Sequence, residues 1–345
     1  MARGVNVETV VEQAFAPALE AVAVGRVPGA ILGVVTASGA RAVRVSGAAQ
    51  IEPSRAELAR DTWFDLASLT KVIFTTPAVL RLVEHGRIAL DDPLVRAVPD
   101  LRQYDANAPE RKLTFRQCLA HQTHLPAVEP IYTYGHDADT LRAFVLQREW
   151  RAGPPVYSDI NFILLGIAIE RLSGRSIRAQ MVSAGLSFAP DPTQCAATER
   201  CAWRRRVMRG EVHDENAYAL GGAAGHAGLF GTVDGVLDFA GTLLDGSALS
   251  PDSIAELRKP NGPTRTLGWE RRYEGWSGGM ACSSETIGHT GFTGTGLWID
   301  WRRGLAWTLL TNRVHPSRHV DTGIQELRRQ TGDRVIAASD DAARG

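Results

Sequence analysis

Short apolar runs bounded by turn residues occur near both ends of the chain, a pattern typical of β-strands. Residues 29–49 predict two short strands joined by a Ser-Gly turn. From Leu267 onward, and most clearly over 285–313, the sequence again predicts consecutive strands with tight turns. The tail from Asp321 to Ala338 predicts a helix. We therefore expect one sheet assembled from the two ends of the chain.

Between these strand-like runs, apolar residues recur at the spacing of helices. The stretch 64–86, FDLASLTKVIFTTPAVLRLVEHG, carries apolar residues on one helical face and ends at Gly86, a residue type that commonly stops a helix. The stretch 161–174, NFILLGIAIERLSG, has apolar residues at i, i+3 and i+4 and a stop at Gly174. The middle of the chain is thus predicted to be a mostly helical insertion.

Composition and charge narrow the class of protein without identifying it. At 44% hydrophobic and 22% charged residues, the chain is an ordinary globular protein with ample material for a core. Lys plus Arg (38) balance Asp plus Glu (38), so no overall field favours nucleic acid or an anionic membrane surface. The densest basic run, Arg204-Arg205-Arg206, lacks interleaved aromatic residues and is predicted to be a solvated loop.

The first 22 residues have the spacing of an amphipathic helix and lack a basic stretch followed by an apolar core. No later segment offers 18 uninterrupted apolar residues, so no membrane span is predicted. As written, the sequence predicts a cytoplasmic protein; a misplaced start codon or a trimmed export signal would point to the periplasm. The cysteines form no C-x-x-C pair and are expected to be free thiols: Cys118, Cys195, Cys201 and Cys282.

The chemistry begins with Ser68 and Lys71. Positions i and i+3 are neighbours on a helix, so both side chains point the same way at the opening turn of the predicted helix. A serine there is also a common helix cap, so the pair alone does not establish catalysis. Two further patterns follow in order along the chain: Tyr157-x-Asp159 and His289-Thr290-Gly291. Together the three patterns are far more specific than any one of them.

These motifs resemble those of the serine β-lactamase and penicillin-binding-protein superfamily, in its class C-like branch of esterases, D-amino-acid peptidases and peptidoglycan-fragment hydrolases. That branch carries Ser-x-x-Lys, Tyr-x-Asn and Lys-Thr-Gly, with His often replacing the last lysine. The flanking segments RIALDDPL, VYSDINFILLG, AGHAGLFGT and GHTGFTGTG resemble it too, and the resemblance covers roughly residues 10–330. GEVHDENAYALGG and TNRVHP are similar to members that handle peptidoglycan fragments.

The resemblance implies an α/β (α+β) fold of the β-lactamase/transpeptidase type. An antiparallel sheet flanked by the terminal helices would be built from residues 1–64 and 226–338. A mainly helical domain, residues 65–225, would carry the nucleophile helix and pack against the sheet. The active site would lie in the cleft between the two domains.

The resemblance also implies the role of each motif residue. Ser68 would be the nucleophile, activated by Lys71 if crowding and partial burial lower the pKa of that lysine. Tyr157 would share the proton and pass it to the leaving group. The backbone N–H groups of Ser68 and Phe292 would form the oxyanion hole. The substrate-binding residues would be Asp159, His289, Thr290 and Gly291.

Several of these residues have a simpler structural alternative. Asp159 stands where the branch usually has Asn, and it either accepts a substrate N–H or caps the following helix. Thr290 and Gly291 could be ordinary strand and turn residues, although a substrate lying along this strand needs the close backbone approach that glycine permits. His289 could be a structural edge residue; facing a substrate, an unperturbed histidine would gain charge between about pH 8 and pH 5.5.

Competing sites have weaker sequence support. The segment from Gly275 to Gly279 fits G-x-S-x-G around Ser277, but the flanking residues do not predict the strand and helix that a nucleophile elbow needs. His121-x-x-His124 lacks the i, i+4 spacing of H-E-x-x-H, and no cysteine pair supports a metal site. The run His213-Asp214-Glu215 also lacks this spacing and a supporting cysteine pair. Its first two residues are expected to order a loop beside the active site.

The sequence thus predicts a serine hydrolase that forms an acyl-enzyme on Ser68 and needs neither a metal nor an organic cofactor. The substrate would be an ester or amide, a small molecule or a peptide, with peptidoglycan-derived amides slightly favoured. A carboxylesterase for small esters is the alternative, and a non-catalytic module that binds wall fragments is a third. Efficient β-lactamase activity is not expected, because Asp159 adds negative charge and His289 is mostly neutral at pH 7.

Overall fold

The computed structural model describes residues 6–135 and 137–344. Its α-helices are α1 (Val7–Ala14), α2 (Ala16–Ala23), α3 (Thr76–Glu84), α4 (Phe115–Leu119), α5 (Ala138–Gln147), α6 (Asp159–Ser173), α7 (Glu215–Ala219), α8 (Val233–Leu244), α9 (Pro251–Arg258) and α10 (Ile324–Arg344). Its strands are β1 (Gly29–Thr36), β2 (Arg41–Gln50), β3 (Ala56–Glu57), β4 (Phe64–Asp65), β5 (Leu186–Ser187), β6 (Ala197–Cys201), β7 (Arg206–Arg209), β8 (Phe230–Gly231), β9 (Glu270–Arg271), β10 (Ile287–Thr290), β11 (Gly296–Asp300) and β12 (Leu305–Thr311).

The main sheet joins the two ends of the chain, as the sequence predicts. Its strand order is β3-β2-β1-β12-β11-β10-β9, and every neighbouring pair is antiparallel. The first and last long strands pair at its centre, with Ala30 opposite Thr311 and Thr36 opposite Leu305. The predicted antiparallel sheet is therefore confirmed.

The side chains of β1 alternate between two apolar layers, as a strand buried on both faces requires. Leu32 and Val34 pack with the terminal helices α1, α2 and α10 on one face. Ile31 and Val35 point to the opposite face, where α8 lies across β1 and β12. The terminal helices thus flank the sheet, and the other layer continues into the helical part of the chain.

Helix α6 is the centre of the helical part and is buried on nearly all sides from Ile160 to Ile169. It begins at a Ser158 cap and ends at Gly174, whose φ of 70° is the left-handed conformation that favours glycine. A Cβ on Gly225 would lie only 2.8 Å from the Gly166 nitrogen and would overlap the Phe162 carbonyl oxygen. This close approach brings the 225–231 segment against α6 and beside the candidate site.

Besides its helices, the middle of the chain contains strands, including the hairpin of β6 and β7. Two local predictions need correction. The N-terminal amphipathic stretch forms two helices rather than one, with a break at Phe15 before Pro17. Within the basic run, Arg204 is buried rather than solvated, because it donates to the carbonyls of Val212 and His213 and lies 4.1 Å from the Tyr218 ring centroid.

The predicted free thiols are confirmed, since each of the four cysteines is free and buried. Within residues 6–135 and 137–344, no helix has the length and apolar character needed to cross a membrane.

Candidate active site

Ser68 lies in a tight turn between β4 and the helix that the sequence predicts. The preceding Ala67 has a φ of 47°, an unfavourable conformation for a non-glycine residue that costs about 1–2 kcal/mol. The buried carboxylate of Asp65 holds this turn by accepting the Ala67 N–H at 2.8 Å and the His213 N–H at 2.6 Å. The nucleophile position is thus set by local backbone strain that surrounding contacts compensate.

Lys71 begins a π-helical segment, Lys71–Thr75, that leads directly into α3. A π-turn inside a helix is frequent at functional sites. The Lys71 side chain is fully buried, and three oxygen atoms lie close to its Nζ. These are Ser68 Oγ at 2.9 Å, Asp159 Oδ1 at 2.7 Å and the His226 carbonyl at 3.2 Å.

The charge of Lys71 differs from the sequence-based expectation. Burial by itself lowers the pKa of this lysine, but the Asp159 carboxylate and the Tyr157 phenol outweigh burial, and the pKa is raised. The expected lowering is therefore wrong, because it left out a carboxylate in direct contact. Capping by Asp159 is also wrong, since Ser158 caps α6 and Asp159 is the first residue inside that helix.

Tyr157 is positioned by contacts on several sides. Its ring centroid lies 5.0 Å from Lys71 Nζ, 4.6 Å from the His121 ring centroid and 5.0 Å from the Arg265 guanidinium carbon. His121 Nδ1 accepts the N–H of Ser158, so this histidine supports the Tyr157 loop. Burial raises the pKa of the Tyr157 hydroxyl, which therefore stays protonated at neutral pH.

The end of β10 is fixed to the turn that carries Ser68. Thr293 Oγ1 donates to the Asp65 carbonyl at 2.7 Å, and Thr295 Oγ1 donates to the Leu66 carbonyl at 3.1 Å. A Cβ on Gly291 would overlap the Thr295 hydroxyl and would lie 2.5 Å from the Leu66 carbonyl oxygen. Only glycine fits this junction.

His289 is buried at this strand end, and its Nδ1 lies 3.0 Å from the Thr290 carbonyl. Burial first, and then the positive charges of Lys71 and Arg265, lower the pKa of His289 well below its usual value. The expectation that this histidine titrates like an unperturbed one is therefore wrong. It stays neutral across the range in which enzymes are usually assayed.

Two backbone N–H groups at the cleft have no acceptor. Within the part of the chain that the structure describes, neither the Ser68 N–H nor the Phe292 N–H donates a hydrogen bond. Both residues line the same cleft, and the Phe292 side chain is half exposed. The predicted oxyanion-hole donors are therefore not engaged in hydrogen bonds within the protein.

The cleft has a volume of about 690 Å³. Every residue that the sequence singles out for this site contributes to its lining, apart from Lys71, which lies buried behind Ser68: Ser68, Tyr157, Asp159, His289, Thr290, Gly291 and Phe292. Sequence reasoning did not find the other charged lining residues: Arg265, Glu270, Arg313, Arg318 and Arg328. These belong to no short motif, so only spatial proximity identifies them.

His213 and Asp214 also line the cleft, in keeping with their expected place beside the site. The His213 ring stacks on Phe292 with centroids 5.6 Å apart, and its Nε2 lies 3.1 Å from Glu199. Asp214 caps α7 and lies 2.9 Å from His226 Nε2. Burial opposes ionisation of Asp214, but the contact with His226 dominates and the carboxyl pKa is well below its usual value.

The competing sites lack the required context. Ser277 lies in a turn region with neither a strand directly before it nor a helix directly after it, and its Oγ accepts the Trp298 indole N–H at 3.3 Å. In the two described ranges, no group of three or more His, Cys, Asp or Glu side chains is placed to hold a metal ion.

The fold and the serine–lysine pair define a serine hydrolase whose antiparallel sheet is flanked by helices. Residues 11–330 match the sequence model of the beta-lactamase family. The chain belongs to that family.

Curated relatives carry names connected with the bacterial cell wall. The chain is 29% identical over 308 residues to an N-acetylmuramyl-L-alanine amidase of Bacillus subtilis (strain 168), covering 75% of this chain and 70% of that protein. It is 30% identical over 306 residues to a putative D-alanyl-D-alanine carboxypeptidase of Salmonella agona (strain SL483), covering 74% and 70%. A class C beta-lactamase from Rhodobacter sphaeroides shares the fold, with a TM-score of 0.72, 19% identity and coverage of 96% and 99%.

Proposed function

We propose that this protein hydrolyses an amide bond in a small peptidoglycan-derived fragment through an acyl-enzyme on Ser68. The observation that carries the proposal is the 2.9 Å contact between Lys71 Nζ and Ser68 Oγ at the edge of a cleft. The cleft would lie between a sheet unit, residues 1–64 and 226–338, and a mainly helical unit, residues 65–225. A serine hydroxyl needs such a partner because it is a poor nucleophile on its own.

The other site residues have complementary roles in this proposal. The N–H groups of Ser68 and Phe292 stabilise the oxyanion of the tetrahedral intermediate. Thr290 and Gly291 hold the substrate along the end of β10, and the neutral His289 forms a polar part of the cleft lining. Asp159, which the resemblance gives as a substrate-binding residue, contacts Lys71.

Tyr157 favours an amide over a simple ester as the substrate. The nitrogen of an amide must gain a proton to leave, whereas the alkoxide of an activated ester leaves more readily. Burial keeps the Tyr157 hydroxyl protonated beside Ser68 and Lys71, where it can supply that proton. The names of the two curated relatives point to the same bond type. A non-catalytic role is less well supported, because nucleophile, lysine and tyrosine converge on one cleft.

A substrate panel tests the proposal directly. Purified protein is incubated with muropeptides, D-amino-acid anilides, p-nitrophenyl esters and nitrocefin, and products are followed by mass spectrometry or absorbance. We expect turnover of at least one muropeptide and weak turnover of nitrocefin. Turnover of the esters alone would favour the carboxylesterase alternative.

The nucleophile is tested in parallel with a fluorophosphonate probe. We expect one adduct on the peptide that contains Ser68. Ser68→Ala should abolish labelling and lower kcat by about 10⁴-fold or more, as nucleophile loss does in other serine hydrolases. Ser277→Ala is the matched control and should keep both labelling and activity. Labelling of Ser277 instead would contradict the proposed nucleophile.

A further inference from the structure

The position of Asp159 raises a question about where the proton of Ser68 goes. Lys71 Nζ donates hydrogen bonds to Ser68 Oγ and to the His226 carbonyl, and it forms an ion pair with Asp159 Oδ1. Asp159 is the one ionisable acid among these acceptors, at 2.7 Å. A lysine held as an ammonium ion cannot take up a further proton, so it cannot be the final acceptor.

We propose that Asp159 is the proton acceptor for Ser68 and that it acts through Lys71. The inference rests on the proposed function, since it assumes that Ser68 is the nucleophile. Geometry supports it, because Lys71 Nζ contacts both Ser68 Oγ at 2.9 Å and Asp159 Oδ1 at 2.7 Å. Lys71 is fully buried, whereas Asp159 lines the cleft. In this arrangement Lys71 passes the proton on, and the Asp159 carboxylate holds it.

Each step of the transfer balances. Lys71 Nζ first gives a proton to Asp159, and the amine so formed takes the Ser68 proton as Oγ bonds to the substrate carbonyl carbon. Lys71 therefore remains an ammonium ion, and Asp159 becomes a neutral carboxylic acid. When the carbon–nitrogen bond breaks, the leaving nitrogen takes the Tyr157 proton, Lys71 replaces it, and Asp159 returns its proton to Lys71. In deacylation, Asp159 takes a proton from the attacking water through Lys71. As the acyl–Oγ bond breaks, this proton returns through Lys71 to Ser68 Oγ, which restores the starting state.

Several other ionisable groups near the pair keep a constant charge across the assay range. Burial lowers the pKa of His121 and of His289 well below the usual value, and burial raises the pKa of Tyr157. The neighbouring Asp214 remains a carboxylate, because its contact with His226 holds its pKa low. Burial raises the carboxyl pKa of Glu270, which lines the cleft, and of Asp65, which holds the Ser68 turn. Both carboxyls are common to the wild type and to an Asp159 variant, so a difference between their acid limbs reports on the Lys71–Asp159 pair.

The test is the pH profile of Asp159→Asn, which keeps the shape of the side chain and removes its charge. Without the carboxylate, burial lowers the pKa of Lys71, and a neutral Lys71 must then act as the base. We expect kcat/KM at pH 6 to fall by about 10²-fold or more. The acid limb of the pH profile should shift to higher pH by at least one unit, and activity should recover at alkaline pH. Asp159→Glu should keep the limb near its wild-type position.

Asp139→Asn is the matched control. Asp139 is also an acidic residue in the first turn of a helix, α5, and its side chain is exposed. This control should leave both kcat/KM and the acid limb unchanged. An Asp159→Asn profile that superimposes on the wild type, with a rate within threefold, would overturn the relay.

Two further measurements keep the result unambiguous. If Asp159→Asn fails to fold, a proton inventory of the wild-type enzyme in mixtures of H₂O and D₂O decides the question. A curved plot of rate against the fraction of D₂O supports the transfer of two protons in the transition state. A linear plot overturns the relay. If the probe labels Ser68 but the relay tests fail, only this inference is wrong. If Ser68 is not labelled, the proposed function itself fails.

Discussion

Gly291→Ala should damage the enzyme through one added methyl group. The new Cβ would overlap the Thr295 hydroxyl and lie 2.5 Å from the Leu66 carbonyl oxygen. A side-chain hydroxyl can rotate away, but the carbonyl belongs to the turn that carries Ser68. The strand end and this turn must therefore move apart.

The expected magnitude follows from these two contacts. Overpacking of a buried site typically costs about 1–3 kcal/mol of folding stability. The same movement displaces the neighbouring Phe292 N–H from the position where an oxyanion would form. Loss of one such donor lowers kcat by about 10²–10³-fold. We therefore expect a modest loss of stability and a large loss of kcat.

The assay measures kcat, KM and the midpoint of thermal unfolding for Gly291→Ala beside Gly153→Ala. Gly153 is the matched control, because the nearest atom to its added Cβ is 3.9 Å away. Thr295→Ala in the Gly291→Ala background should restore little activity, because the Leu66 carbonyl remains in place. Wild-type kcat and stability in Gly291→Ala would refute the reasoning, since the strand end would then tolerate displacement.

The remaining predictions concern titration and coupling. Lys71→Ala and Tyr157→Phe should each be severe, and the double variant should be little worse than the poorer single variant; multiplicative losses would contradict a shared proton-transfer unit. The ratio of kcat/KM for a carboxylate-bearing ester to that for its neutral isostere should stay flat from pH 8 to pH 5.5, because His289 remains neutral. His289→Lys should raise this ratio about fivefold, as a screened interaction of about 1 kcal/mol allows; a wild-type ratio that rises at low pH would show that His289 titrates. Both His121 and His289 have lowered pKa values in the folded state, so only the unfolded chain binds their protons below about pH 6.5. The free energy of unfolding should therefore fall with decreasing pH in urea titrations, by about 1.4 kcal/mol per pH unit for each histidine, and replacing His289 with Gln should reduce this slope.

The sequence by itself determined the elements and the motif residues. The hydrophobic pattern predicted β1, β2 and the consecutive C-terminal strands, because strand periodicity is a local property. It also predicted the stop of α6 at Gly174. Ser68 and Lys71 are three positions apart, and this spacing predicted their contact, although Ser68 lies in the turn before the helix and Lys71 begins a π-helical segment.

Only the tertiary structure decided the electrostatics of the site. Lys71 donates to the carbonyl of His226, which lies 155 positions later in the chain, and it pairs with Asp159 from another helix. The charge of a buried group depends on burial and on its nearest charges, and neither is encoded in local spacing. For that reason local spacing could not show that Asp159 would raise the pKa of Lys71, or that burial and two cations would lower the pKa of His289 well below its usual value.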